Sequence, residues 1–289
     1  MLSGPSPLFT IEIVACGAHL KNMDDQNTLM KEINPSDPPK PLTTAAKAEI
    51  AALAARQSKA NGVLMTAINF VGGQVEDGLK LLPAGVRDQI DDLVRAALRQ
   101  SFDVASKSRA GRGQSIGSDR IHKILGTVSG ALGGLGGLPT ALAELPVATT
   151  VIFRAVHHVA VEYGEDPNAE ETKMECLAVF GAGGPGTGDD GVDTAFIGAR
   201  LSISGAAVNG LISKVAPRFA TVLSQKLATQ AVPILGAAAG AGTNYAFVDY
   251  YVAMAHVHFG LRRLARMHGD QAVTDHFHKV LAAGKLPQT

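Results

Sequence analysis

Apolar positions along most of this chain recur at helical rather than strand spacing. Between residues 83 and 107, Val86, Ile90, Leu93 and Ala97 fall on one face, while Asp88, Asp91, Asp92 and Arg95 fall largely on the opposite one. Side chains three and four residues apart share a helix face. The spacing therefore predicts an amphipathic helix opened by Pro83, whose fixed φ suits a first turn. Upstream, Thr43 or Thr44 offers an N-cap hydroxyl before an alanine-rich run. That helix extends to about Lys80, with a break near Gly72 and Gly73. Downstream, Val147, Val151, Ile152, Val159 and Val161 define a run from about Leu145 to Tyr163, and Gly164 fits the left-handed residue that ends it. Asp166 then reads as N-cap and Pro167 as first-turn residue of a helix carrying Met174, Leu177 and Ala178. Further helices are expected at 193–212, 216–230, 233–267 and 271–283.

The N-terminal 42 residues differ. Phe9, Ile11 and Ile13 alternate as a short strand does, and residues 34–41 hold four prolines in a stretch that cannot be helix. The fold class is all-α: a single multi-helix domain over residues 43–289, preceded by an irregular extension over residues 1–42 that is partly disordered or loosely docked.

Two stretches specify how helices approach each other. Gly126, Gly130 and Gly134 are spaced by four, as are Gly236, Gly240 and Asn244. A helix face without side chains admits another backbone closely, so the expectation is glycine-rich central helices in close contact. The same stretches are free of charge over residues 124–143 and 227–248, each long enough to cross a bilayer. Only seven of the first twenty residues and six of the second twenty-two are strongly apolar. Buried helices are the favoured reading, and an inserted helical hairpin is the alternative.

Composition narrows the function classes. Hydrophobic residues make up 46% of 289 and charged ones 18%, enough for a large core. The formal net charge is zero, there is no tryptophan, and aromatic residues make up 5%. A nucleic-acid partner calls for a positive excess and stacking platforms, so none is expected. Cys16 and Cys176 build neither a disulfide framework nor a zinc site. No basic segment precedes an apolar run at the N-terminus, so a cytoplasmic location is expected.

Candidate chemistry is sparse. Gly181-x-Gly183-x-x-Gly186 matches the dinucleotide fingerprint, but Pro185 interrupts it and a glycine-rich loop follows where a helix is required. No cofactor is expected. Five of the nine histidines lie beyond residue 255, including His256-x-His258 and His276-x-His278. Residues two apart on a helix point in nearly opposite directions, so neither pair grips one ion, and no metal site is assigned. His158 and Glu162 share a face at i,i+4, and with His157 and Glu144 they are the candidate catalytic groups. Glu144, between Leu142 and Leu145, needs a cationic partner such as Arg154 or Arg200, or else acts as a functional acid. Cys176 reads as a core thiol.

The clearest functional pattern is electrostatic. Residues 107–123 carry Lys107, Arg109, Arg112, Arg120 and Lys123 against the single acid Asp119, directly before the charge-free stretch. That order suits a surface facing anionic lipid, although a solvated loop would look the same.

The runs Asn69-Phe-Val-Gly72, Leu82-Pro83, Gly134-Leu-Gly-Gly-Leu-Pro-Thr-Ala-Leu-Ala-Glu-Leu-Pro146, Tyr163-Gly164-Glu-Asp166-Pro167 and Pro233-x-x-Gly236-Ala-x-x-Gly240-x-x-x-Asn244, in that order, resemble the EcsC protein family of bacteria over roughly residues 45–268. The family takes its name from a protein encoded beside an ABC transporter, and its biochemical activity is undefined, so the resemblance implies no catalytic residue. Residues before 43 and the loop at 181–191 depart from the family pattern. The expectation is a non-enzymatic accessory protein, peripheral at the inner face of the membrane, whose partner is an anionic membrane surface or a membrane protein. The alternative is a hydrolase acting on a lipid or other apolar substrate through Glu144 or the His157–Glu162 region. That alternative requires a concave pocket beside those residues.

Overall fold

The computed structural model describes residues 39–72, 84–107, 137–182, 205–230 and 236–285. Among the described residues there are seven helices and no strand: α1 (Thr44–Gly72), α2 (Ala84–Lys107), α3 (Gly137–Glu162), α4 (Glu170–Val179), α5 (Gly205–Gln230), α6 (Gly236–His268) and α7 (Asp270–Lys285). The all-α class holds.

Local chemistry sets several boundaries as expected. Thr43 Oγ1 accepts the Ala46 N–H at 3.1 Å, the bond an N-cap hydroxyl makes to the third helical residue. Gly164 has φ +83°, and the N–H groups of Gly164 and Glu165 reach back to the carbonyls of Val161 and Ala160 at 3.0 and 3.1 Å. This is the Schellman arrangement that closes a helix, and a Cβ would strain its left-handed residue.

Three boundaries are corrected. The run expected from about Leu145 begins at Gly137, with Pro146 inside the helix. The break expected between 212 and 216 is absent, and α5 continues through Pro217. An interior proline costs about 3 kcal/mol. Here Leu145 and Ala148 flank Pro146, and Val215, Ala216, Phe219 and Ala220 flank Pro217, all buried. Tertiary packing overrides the local break. In the third case, Asp166 does not cap α4: its Oδ1 accepts the Asn168 N–H at 2.9 Å in a tight local turn. The helix starts later, at Glu170, after Ala169, which makes no side-chain cap bond.

The 33-residue α6 is the spine, packing against α1, α3, α4 and α7. It runs antiparallel to α1: Arg263 pairs with Glu49, and Gly260 lies against Leu53. A Cβ at Gly260 would stand 2.9 Å from one Leu53 methyl and 3.0 Å from the other, so backbone approach is close at this point. α2 and α5 are likewise antiparallel, joined by Arg95 to Ser213 at 3.4 Å and by Arg99 to Asn209. Inside, Phe180 packs on Phe153, Phe219 and Tyr251 with ring centroids 6.2, 4.9 and 5.4 Å away.

The last residues of the N-terminal extension dock on the far end of α6. Lys40 donates its N–H to the Met267 carbonyl at 3.1 Å and accepts from His268 Nδ1 at 3.0 Å. The expected strand at Phe9–Ile13 lies outside the described residues, as do Gly126, Gly130 and Gly134. Gly236, Gly240 and Asn244 fall in α6, but their surroundings also lie outside them.

Candidate functional site

Three basic side chains on α6, His258, Arg262 and Arg266, recur every four residues and so share one face. Opposite them stand Glu171 and Glu175 of α4, also four apart, and Glu165 in the turn before it. Glu175 and His258 are essentially sealed from solvent. The Glu175 carboxylate is met on both oxygens, by His258 Nε2 at 2.7 Å and by Arg262 Nη1 at 2.8 Å. Since a carboxylate only accepts, the His258 Nε2 carries the hydrogen. The Arg262 guanidinium serves three acids at once: Nη1 on Glu175, Nη2 on Glu171, and Nε 3.4 Å from Glu165. Arg266 closes on Glu165 from the other side. Arginine's planar fork of donors makes such sharing possible, and lysine would not reproduce it.

This cluster is structural in form. Each acid is matched by a cation, which is what burial of charge demands. It fixes α4, buried along almost its whole length from Thr172 to Val179, against the spine. Lys173, also buried, donates to the Asn168 carbonyl at 3.3 Å. A second pair lies on the face of α6 turned toward α1. Arg263 binds Glu49, and its guanidinium carbon lies 5.2 Å from the centre of the Tyr163 ring.

On that same face a cleft of about 210 Å³ opens between α1 and α6. Arg56 and Lys59 project from α1, Asp249 and His256 from α6, and the small residues Ala60 and Ala253 leave the space. His256 stands edge-on to Tyr163 with ring centroids 5.7 Å apart. The two histidines expected to diverge do so: His256 lines the cleft, and His258 enters the ion cluster on another face.

The expected catalytic groups are placed elsewhere. His158 Nδ1 and Glu162 Oε1 are 3.2 Å apart on α3, both partly exposed. His157 donates Nε2–H to the Pro167 carbonyl at 3.0 Å, and burial holds its pKa below the ordinary imidazole value, against that hydrogen bond. None of His157, His158 and Glu162 lines the cleft. Glu144 falls within α3, but its side chain lies outside the described residues; so does that of Lys107, which ends α2. Arg109, Arg112, Arg120 and Lys123 also lie outside them. Arg154, one expected partner of Glu144, is exposed. Among the described residues no group of three metal-ligating side chains converges. Cys176 is buried and unpaired, its thiol pKa pushed well up by burial and then by the neighbouring Glu175. The dinucleotide fingerprint begins where α4 ends, so the strand its mechanism needs is a helix.

Sequence reasoning missed the ion cluster. The signal was present as two opposed ladders, acids at 171 and 175 and a histidine and two arginines at 258, 262 and 266. Each alone reads as an ordinary solvated helix face.

Comparison with known proteins gives the family. The EcsC protein family matches residues 58–264, most of the chain, and the protein belongs to that family. A curated relative, "Uncharacterized protein YdbA" of Bacillus subtilis (strain 168), is 26% identical over 106 residues. The match covers 36% of this chain and spans about a third, 35%, of that relative's length. No solved structure matches.

Proposed function

We propose that this EcsC-family protein is a non-enzymatic accessory protein that works peripherally at the inner face of a membrane, docking on an anionic lipid surface or on a membrane protein there. The observation that carries this reading is the excess of four positive charges over residues 107–123, immediately before a charge-free stretch. Each basic residue near an anionic surface contributes about 1 kcal/mol. The excess therefore suffices for reversible attachment and falls far short of irreversible insertion. Its first residue, Lys107, ends α2, and the next described helix, α3, begins at Gly137. Among the described residues no helix is long and apolar enough to cross a membrane.

Flotation with vesicles containing phosphatidylglycerol tests the proposal. The full chain is expected to float at low salt and to be released as ionic strength rises and the Debye length shrinks below about 10 Å. Reversal of charge at Arg109, Arg112 and Arg120 together is expected to abolish flotation. A triple variant that floats like the natural chain excludes docking on lipid through this segment, as does a natural chain that never floats.

A further inference from the structure

We infer that the cleft between α1 and α6 is a binding site for a small phosphate ester that also carries a hydroxyl or ammonium group. Its walls are chemically unlike. Arg56 and Lys59 stand on the α1 side within one turn of each other. Neither is ion-paired to a carboxylate among the described residues, whereas Arg262, Arg263 and Arg266, farther along α6, are each bound to one. Arginine and lysine together supply a fork and a point charge, the pair that recognises phosphate oxygens. Asp249 faces them from α6, two turns before His256. A carboxylate there disfavours a purely anionic guest and accepts from a hydroxyl or ammonium on the same molecule. His256 adds a ring nitrogen, with the ring steadied edge-on against Tyr163.

The cleft is a consequence of how the two helices meet. They touch at Gly260, and toward the start of α6 the interface residues shrink to Ala60 and Ala253, so the space is left open. At about 210 Å³ it is smaller than the roughly 300–1,000 Å³ of sites that enclose drug-sized ligands. It holds a phosphate and a short polar arm, not an acyl chain. This chemistry is shared by a phospholipid headgroup and by its water-soluble fragment. No lining residue of the cleft falls within residues 107–123, so the inference does not rest on membrane attachment.

The test uses the full chain in solution, observed by NMR at the His256 ring, whose signal is identified by its absence in His256→Gln. Glycerol 3-phosphate and ethanolamine phosphate are expected to shift that signal saturably, and inorganic phosphate to bind more weakly. In the Arg56→Gln/Lys59→Gln double variant, ester affinity is expected to fall at least about tenfold; both side chains are exposed, so the fold, checked by circular dichroism, is retained. Asp249→Asn is expected to strengthen inorganic phosphate binding and erase the preference for the esters. Phosphatidylglycerol vesicles that displace the soluble ester identify a headgroup as the guest; vesicles without effect identify a soluble metabolite. The inference is overturned if no ester gives a saturable shift, if the double variant binds within about twofold of the natural chain, or if Asp249→Asn leaves the preference intact. The variant reversed at Arg109, Arg112 and Arg120 is expected to bind the esters normally, which separates failure of this site from failure of membrane attachment.

Discussion

Glu175 and Tyr251 both bring polar atoms into the core, and they carry opposite expectations. Glu175 has a hydrogen-bond donor on each oxygen, and removing it leaves His258 without its carboxylate in a sealed environment and Arg262 short of one of its three acids. Breaking a buried pair from one side costs about 3–5 kcal/mol, so Glu175→Ala should lose that much in urea unfolding; a loss under 1 kcal/mol would show the cluster to be open to water. Tyr251 is fully buried, and its hydroxyl has no hydrogen-bond partner among the described residues. An unmet buried hydroxyl costs about 1–3 kcal/mol, so Tyr251→Phe should raise stability by about 1 kcal/mol. His157 adds a pH dependence. Burial lowers its folded pKa, so below the unfolded value of about 6.5 the unfolded chain binds more protons than the folded one. Stability contributed at His157 is thus present above pH ~6.5 and is lost as pH falls toward the folded pKa. Relative to His157→Gln, the natural chain should weaken between pH 7 and pH 5; a difference constant with pH counts against this assignment.

At the scale of elements, glycines inside helices separate propensity from packing. Gly62 in α1 and Gly210 in α5 have open space where a Cβ would go. Alanine there should stabilise by about 0.8–1 kcal/mol through helix propensity alone. Gly260→Ala gains the same propensity but presses on the Leu53 methyls, so the net change should be near zero, while Gly260→Val should destabilise by more than about 1 kcal/mol. Thermal unfolding of the four variants decides it, and equal gains at 62, 210 and 260 would remove the close contact from consideration. The same division explains what could be read from sequence. Thr43 and Gly164 were legible because a cap bond or a left-handed residue depends on neighbours a few positions away. Pro146 and Pro217 misled because what keeps their helices whole is burial against distant segments. The start of α4 misled because Asp166 used its acceptor on its own turn. Glu171, Glu175 and Arg262 escaped notice because a charge ladder shows which face it occupies and not whether that face meets water or an opposing ladder.

For the molecule as a whole, α6 joins two chemically distinct regions. His258, Arg262 and Arg266 hold the ion cluster on one flank; Asp249, His256 and Arg263 define the cleft and the Glu49 pair on another. The family match over residues 58–264 takes in α4 and the whole ion cluster except Arg266, and every cleft residue except Arg56. With 33 residues at about 1.5 Å each, the helix is a rod of about 50 Å. Everything along it is keyed to a single angular phase. One extra residue placed after Met254 would turn all that follows by about 100°, swinging Arg262 off Glu175 and carrying His256 out of the cleft together. Such an insertion should yield insoluble or unfolded chain, readable by circular dichroism, whereas Met254→Leu should be tolerated. The length of this rod between its two flanks is thus fixed to the single codon.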